Sequence, residues 1–252
     1  MNAPESIRKT AESFEKSFLD SSFYDSQTQD KDHLEVIINN LRLAPGKRIL
    51  DLGTGTGYLA FPLARKNSEM RIIGIDIVKQ TIERNKAKAQ EEEITNLEFL
   101  SYEGDSFPFP DDYFDIVVTR YALHHFPDIQ SCFSELSRVI KSQGQLWISD
   151  PTPHKSDKER FVDKFMQMKD DGHIKFYTVH EFTSLARQYG FHEESHTLTK
   201  IQFPRIKSDK YSTLINKTTP AILELYEVEV INNEVFISED VVNISFCKEQ
   251  DS

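Results

Sequence analysis

Arg48-Ile49-Leu50-Asp51-Leu52-Gly53-Thr54-Gly55-Thr56-Gly57 joins a short apolar run to three glycines within five residues. The apolar half reads as a buried strand, and apolar residues at helical spacing beyond Gly57 predict a helix over about 57–66. Glycines at such a junction let the chain turn sharply, and lacking Cβ they admit a ligand close to the backbone. The free N–H groups and positive dipole end of the following helix would then face that ligand. A carboxylate or a phosphate would serve equally.

The same alternation continues outward. Helical spacing runs over 5–19 (Ile7, Ala11, Phe14, Phe18) and 31–42 (Leu34, Ile37, Ile38, Leu41) before Ala44-Pro45-Gly46 breaks the chain. Further strands are expected at Arg71–Asp76, Leu97–Leu100, Phe114–Thr119 and Gln145–Ser149, with helices near 78–93 and 128–141 between them. Apolar strands alternating with amphipathic helices imply right-handed βαβ units and a doubly wound parallel sheet covered on both faces. The fold class is α/β.

After Asp150 the rhythm changes. Pro151-Thr152-Pro153 is expected to end the strand, Ser156–Glu159 to cap a helix containing Phe161 and Phe165, and Asp171-Gly172 to stop it. Thr178–Glu181 reads as a second capping box, and 195–203 and 235–247 as strands separated by a polar loop and a short helix near 220–228. The division expected is a single domain: N-terminal lid helices over 1–45, a ligand-binding half over 46–150, a cap insertion over 151–177, and a C-terminal half over 178–252.

With 252 residues the chain is long enough for one large core, and eighteen Phe and nine Tyr supply its bulk despite a mean hydropathy of −0.51. Thirty basic against forty-one acidic side chains give a net charge of −11, which argues against a general nucleic-acid or anionic-membrane binder. Cys132 and Cys247 cannot form a disulfide framework and have no His/Cys neighbours at zinc spacing, so both read as reduced and structural, and no metal is expected. No apolar run reaches signal-peptide or membrane-span length, making a cytoplasmic setting the default.

From Gly55 the string to Ala60 fits the GxGxxA form of a dinucleotide fingerprint, and Asp76 at the end of the second strand could accept both hydroxyls of a ribose. A nicotinamide-dependent dehydrogenase is therefore one alternative. Gly104-Asp105-Ser106-Phe107, after the third strand, points elsewhere. An acid there can accept from an adenine amino group, with Phe107 available to pack on the ring. Since ligands bind outside the carboxyl ends of strands, Asp51, the glycine loop, Asp76 and Asp105 would converge on one nucleoside with a zwitterionic tail rather than a pyrophosphate.

The segments ILDLGTGTG, IIGIDIV, EGDSFPFPDDYFDIVVTRYALHHFPD and IKSQGQLWISDP, in that order, resemble the motifs of class I S-adenosylmethionine-dependent methyltransferases. The likeness covers about residues 30–192 and is nearest to the small-molecule branch that includes ubiquinone/menaquinone-type enzymes. It implies a Rossmann-like seven-stranded sheet whose last strand is antiparallel. It also implies S-adenosyl-L-methionine as cofactor, with S-adenosyl-L-homocysteine as product. By this resemblance Asp51 would face the methionyl amine, and Gly53, Gly55 and Gly57 would hold the carboxylate end. Thr54 belongs to the same loop and stands where many relatives have Cys or Ser. Asp76 would take the ribose hydroxyls and Ile77 would pack on adenine. Gly104, Asp105, Ser106 and Phe107 would serve the adenine, while Arg120 would line the methionyl part through its backbone.

A small organic acceptor is expected, with O-, N- or C-methylation open. Candidate general bases are His124 and His125 after the fourth strand, Asp150 after the fifth, and His154 and His173 on the cap, with His125 and Asp150 preferred. Phe14, Phe18, Phe161, Phe165, Met166, Phe176 and Tyr177 could line an apolar acceptor pocket. Lys200, Arg205, Lys207, Lys210 and Lys217, set against Asp209, could favour an anionic acceptor. A member that binds cofactor without turnover, and one that methylates a macromolecule, also stay open.

Overall fold

A computed structural model describes residues 3–19, 30–104, 106–169 and 171–250, with side chains of the first helix described over 5–15. Asp105 and the side chain of Phe18, both candidates on sequence, lie outside the described residues. In chain order the elements begin α1 (Ala3–Leu19), α2 (Lys31–Asn40), β1 (Arg48–Leu52), α3 (Ala60–Lys66), β2 (Arg71–Asp76) and α4 (Lys79–Glu91). Next come β3 (Leu97–Ser101), β4 (Phe114–Arg120), α5 (Ile129–Val139), β5 (Ile140–Thr152), α6 (Phe161–Met166) and α7 (Val179–Gln188). β6 (Phe191–Ile206), α8 (Asp209–Lys217), α9 (Pro220–Leu225), β7 (Glu229–Ile231) and β8 (Glu234–Lys248) complete them.

The sheet runs β3-β2-β1-β4-β5-β8-β6, with short β7 paired to β8. Pairs among β1 to β5 are parallel, and β8 is antiparallel to both β5 and β6. Strands covered on both faces explain the apolar runs: Ile49, Ile72, Ile116 and Trp147 pack with Ile37, Leu63 and Ile82 of α2, α3 and α4. Their neighbours Leu50, Ile73, Val117, Leu146 and Ile148 pack with Phe133, Leu136, Phe182 and Ala186 of α5 and α7. Each such Val, Leu, Ile or Phe side chain, fully buried, contributes about 1.5–3 kcal/mol. A third cluster joins Phe161, Phe165, Tyr211, Tyr226 and Ile237 under α6, α8 and α9.

Four local expectations are corrected. β5 does not stop at Ser149 but continues through Pro151 to Thr152. The Ser149 carbonyl accepts from Tyr121 N (2.9 Å), so Ser149 and, two residues on, Pro151 point their backbone groups toward β4. β4 has already ended opposite Ser149, at Arg120, so the missing N–H of Pro151 breaks no ladder bond. The expected cap at Ser156 is made instead by Asp157, whose oxygens accept from Phe161 N (2.8 Å) and Val162 N (3.1 Å). The helix it opens ends at Met166, before Asp171-Gly172. The segment read as a polar loop contains α8, which buries Tyr211 and leaves its lysines outward. β7 also escaped notice: it turns into β8 through Asn232 (φ 48°) and Asn233 (φ 66°), the left-handed pair of a tight hairpin.

By contrast, Thr178 caps α7 in the expected reciprocal way, its hydroxyl accepting from Glu181 N (3.1 Å) and Glu181 accepting from Thr178 N (2.8 Å). Cys132 and Cys247 are free and buried. Pairing of β6 with β8 brings Cys247 near His192 and Glu194, a possible metal-ligand group that linear spacing hid. Arg42 already supplies the cation there, reaching Glu194 and Cys247 Sγ (3.8 Å). No helix among the described residues is long and apolar enough to cross a membrane.

Candidate active site

The C-terminal ends of β1, β2, β4 and β5 open on one cavity of about 230 Å³. Asp51, Gly53, Thr54, Gly55, Asp76, Ile77, Gly104, Arg120, His124 and His125 all line it.

Asp51 is buried on β1 and accepts from Thr54 Oγ1 (2.7 Å). Burial pushes its carboxyl up to about 7, opposed by the Thr54 hydroxyl and, more weakly, by the Arg120 charge. The glycine loop folds back on β2, with Gly53 N and Thr54 N both donating to Ile75 O (3.0 Å). Gly53 sits at φ +71°, and a Cβ there would lie 2.5 Å from Ala122 Cβ, so only glycine fits. Gly57 does not reach the cavity; its N–H closes the turn on Thr54 O (2.8 Å).

Asp76 is tied into the same loop, accepting from Gly55 N (2.9 Å) and Val78 N (3.0 Å), which leaves the carboxylate with further lone-pair capacity. Burial raises its carboxyl as well. Asn85 of α4 donates to Gly55 O (2.8 Å) and so fixes the loop from below.

Around the expected adenine region the structure redistributes roles. Ile77, Val78, Tyr102 and Gly104 line the cavity, but Ser106 and Phe107 do not. Phe107 is buried in the core, edge-on to Tyr102 at 5.8 Å, with its N–H donating to Glu135 Oε2 (2.7 Å). Apolar packing drew this ring inward and left Tyr102 as the aromatic wall.

Arg120 contributes more than backbone. Its guanidinium lies between the rings of Tyr58 (4.0 Å) and Tyr121 (3.9 Å), and Nε donates to His33 Nδ1 (3.3 Å). That bond requires a lone pair on Nδ1, so the proton of neutral His33 sits on Nε2, beside Asn243 Oδ1 and Ser149 Oγ (both 2.9 Å). Burial and the Arg120 charge hold the imidazole below its ordinary range. Arg120 Nη2 is buried with no hydrogen-bond partner among the described residues.

His124 lies in the cavity wall with Nδ1 2.5 Å from Asp150 Oδ1, and Asp150 itself sits behind the wall. Burial pushes Asp150 up to about 7 and drives His124 well below its ordinary value. His125, tilted against His124 at 4.1 Å and edge-on to Phe14 of α1 at 5.1 Å, is pushed down by burial to about 3. An imidazole so desolvated is a weak base, so burial counts against His125 as proton acceptor. His173 does not line the cavity; its Nε2 is engaged by Asp163 Oδ1 (2.9 Å). The cap nevertheless touches the site, because Ile174 N donates to His124 O (2.9 Å).

A family profile described as a methyltransferase domain matches residues 43–215. The chain belongs to the methyltransferase domain family. YcgJ of Bacillus subtilis, named an uncharacterized methyltransferase, is 32% identical over 153 residues, covering 60% of each chain. Its crystal structure superposes with a TM-score of 0.75, over 88% of this chain and all of that one, at 23% identity. UbiE of Vibrio parahaemolyticus, a ubiquinone/menaquinone biosynthesis C-methyltransferase, is 27% identical over 176 residues, 68% of each. Geranyl diphosphate C-methyltransferase from Streptomyces coelicolor, crystallised with S-adenosyl-L-homocysteine, shares the fold at TM-score 0.64 and 15% identity, over 87% of this chain and 80% of that one. The sequence match thus spans about 60% of the length of YcgJ.

Several residues that shape the site in this methyltransferase domain were not singled out from sequence. Tyr58 and Tyr121 lie in turns after β1 and β4, and His33 and Asn85 on inward helical positions, where sequence alone gave no signal. Glu239 gave no signal among its neighbours in sequence; it is wholly buried and faces the cavity.

Proposed function

We propose that this chain transfers the methyl group of S-adenosyl-L-methionine to a small organic acceptor. The observation that carries the proposal is the convergence of Asp51, the Gly53–Gly55 loop, Asp76 and Arg120 on one cavity at the strand ends. The residues fit the cofactor chemically. A buried acid and a half-buried arginine, the latter with a buried spare donor at Nη2, match an ammonium and a carboxylate; Asp76 keeps lone pairs for a diol; Ile77 and the Tyr102 ring offer apolar walls. When bound, the cofactor supplies a sulfonium-activated methyl, which needs no further activation.

The chain's part is then to orient and to exclude water. Orientation of this kind supplies about 7–11 kcal/mol of barrier lowering. α1 closes the cavity from above through Ile7, Thr10 and Phe14, and Phe176 and Met166 close it from the cap. His124, held by Asp150, stays neutral and can accept a hydrogen bond from an acceptor hydroxyl or amine. A thermal-shift comparison tests the reading. S-adenosyl-L-homocysteine at about 100 times its Kd should stabilise the chain by about 2.7 kcal/mol. NAD should give no shift, and the reverse pattern would favour the dehydrogenase alternative.

A further inference from the structure

Beyond the cofactor end, the cavity runs under an antiparallel ribbon. β6 and β8 continue past the point where β5 stops, pairing Ile201 with Glu239, Phe203 with Ile237 and Arg205 with Val235. Side chains alternate along a strand and cross-strand partners share a face, so Glu239, Phe203 and Arg205 project from the same side. All three line the cavity.

Glu239 is fully buried, and neither of its carboxylate oxygens has a hydrogen-bond partner among the described residues. Arg205 is held short of it. Its Nε is buried and unpartnered, Nη1 turns to Pro204 O (3.1 Å) and Nη2 to Met166 Sδ (3.8 Å). Among the described residues no carboxylate comes within ion-pair distance of Arg205. Opposite charges therefore face one cavity without closing on each other. A buried carboxylate without a hydrogen bond is a cost to folding, and no donor among the described residues relieves it. Burial raises Glu239 to about 7, with the charge of Arg205 pulling the other way. Such a group is accounted for when a ligand completes it.

We propose that Glu239 and Arg205 form the acceptor subsite of this methyltransferase domain. Its acceptor is a small polar molecule with an N–H or O–H donor for Glu239 and an anionic group, carboxylate or phosphate, for Arg205. The assignment rests on the methyl-transfer reading and adds the acceptor's chemical class. It separates this chain from one built for an uncharged quinol, which would leave Arg205 and Glu239 unmatched.

The test is a binding screen on the intact chain, with and without S-adenosyl-L-homocysteine. One arm holds small amino- and hydroxycarboxylates, a second the phosphomonoesters of amino alcohols, and a third 1,4-naphthoquinol. A compound from either polar arm should raise the unfolding midpoint beyond homocysteine analogue alone. Its affinity should fall at least tenfold in both Arg205→Gln and Glu239→Gln, while S-adenosyl-L-homocysteine binds both variants within twofold of the parent. The arm that responds identifies the anionic group. Silence from both polar arms overturns the subsite, as does a naphthoquinol response that both variants retain. Loss of the homocysteine-analogue response in the parent chain removes the methyl-transfer reading instead, and a polar response sensitive to Arg205→Gln would still support the subsite.

Discussion

If Asp51 receives the cofactor's ammonium, cofactor affinity must depend on pH in a way fixed by that one carboxyl. In the ligand-free chain Asp51 faces Thr54, Asp76 and Arg120, and burial holds it at about 7 against an ordinary 3.8. An ammonium placed against it favours the ionised form, so binding expels the proton. With a bound-state value several units lower, the free chain must first ionise, a handicap of 1 + 10^(7 − pH). Affinity for S-adenosyl-L-homocysteine should then be about five times higher at pH 7 than at pH 6, and should fall about tenfold per unit below that. Isothermal titration at pH 5.5, 6.0, 6.5 and 7.0, in two buffers of different ionisation enthalpy, reads both the affinity and the proton released. Asp51→Asn should bind more weakly and lose the slope. A flat profile in the parent chain, or an unchanged slope in the Asn variant, would refute the assignment of Asp51.

Gly53→Ala should cost about 2–4 kcal/mol, because the left-handed backbone and the 2.5 Å clash with Ala122 act together, and S-adenosyl-L-homocysteine should bind more weakly; chemical denaturation and titration check both. Thr178→Ala should cost about 1 kcal/mol and lower the midpoint by about 2–4 °C with cofactor affinity unchanged, since the cap lies away from the cavity. Glu239 is raised from 4.5 to about 7, so its contribution to stability is present below 4.5 and is lost as pH rises through 7. By pH 8 the parent chain should have lost about 3 kcal/mol that Glu239→Gln keeps, making the variant the more heat-stable at pH 8 and nearly equal at pH 4.

The parallel half was legible because its inner strands are covered on both faces, only the edge strand β3 being partly exposed, and each turn is punctuated. Ile49-Leu50, Ile72-Ile73 and Ile116-Val117 read as a sheet packed on both faces, and Gly53, Gly55 and Asp76 fell at the strand ends that line the cavity. The chain beyond Asp150 was harder. α8 has one buried residue, Tyr211, and its apolar face, Tyr211, Leu214 and Ile215, spans only about one turn among polar side chains. Pro151 looked like a terminator because nothing local reveals that its side of the strand has lost its neighbour. Phe107 shows a further limit: an aromatic beside a binding loop can turn either to ligand or to core, and here the core took it. Glu239 and Arg205 lie thirty-odd residues apart in sequence and meet one cavity only through the β6–β8 register, which no local pattern encodes.

Diffraction from crystals of the chain grown with S-adenosyl-L-homocysteine addresses the whole account at once. The ligand should lie across the Gly53–Gly55 loop, its amine within hydrogen-bond reach of Asp51 and its ribose hydroxyls at Asp76. A ligand bound outside that cavity, or one lying in it with its amine away from Asp51 and its ribose away from Asp76, would contradict it.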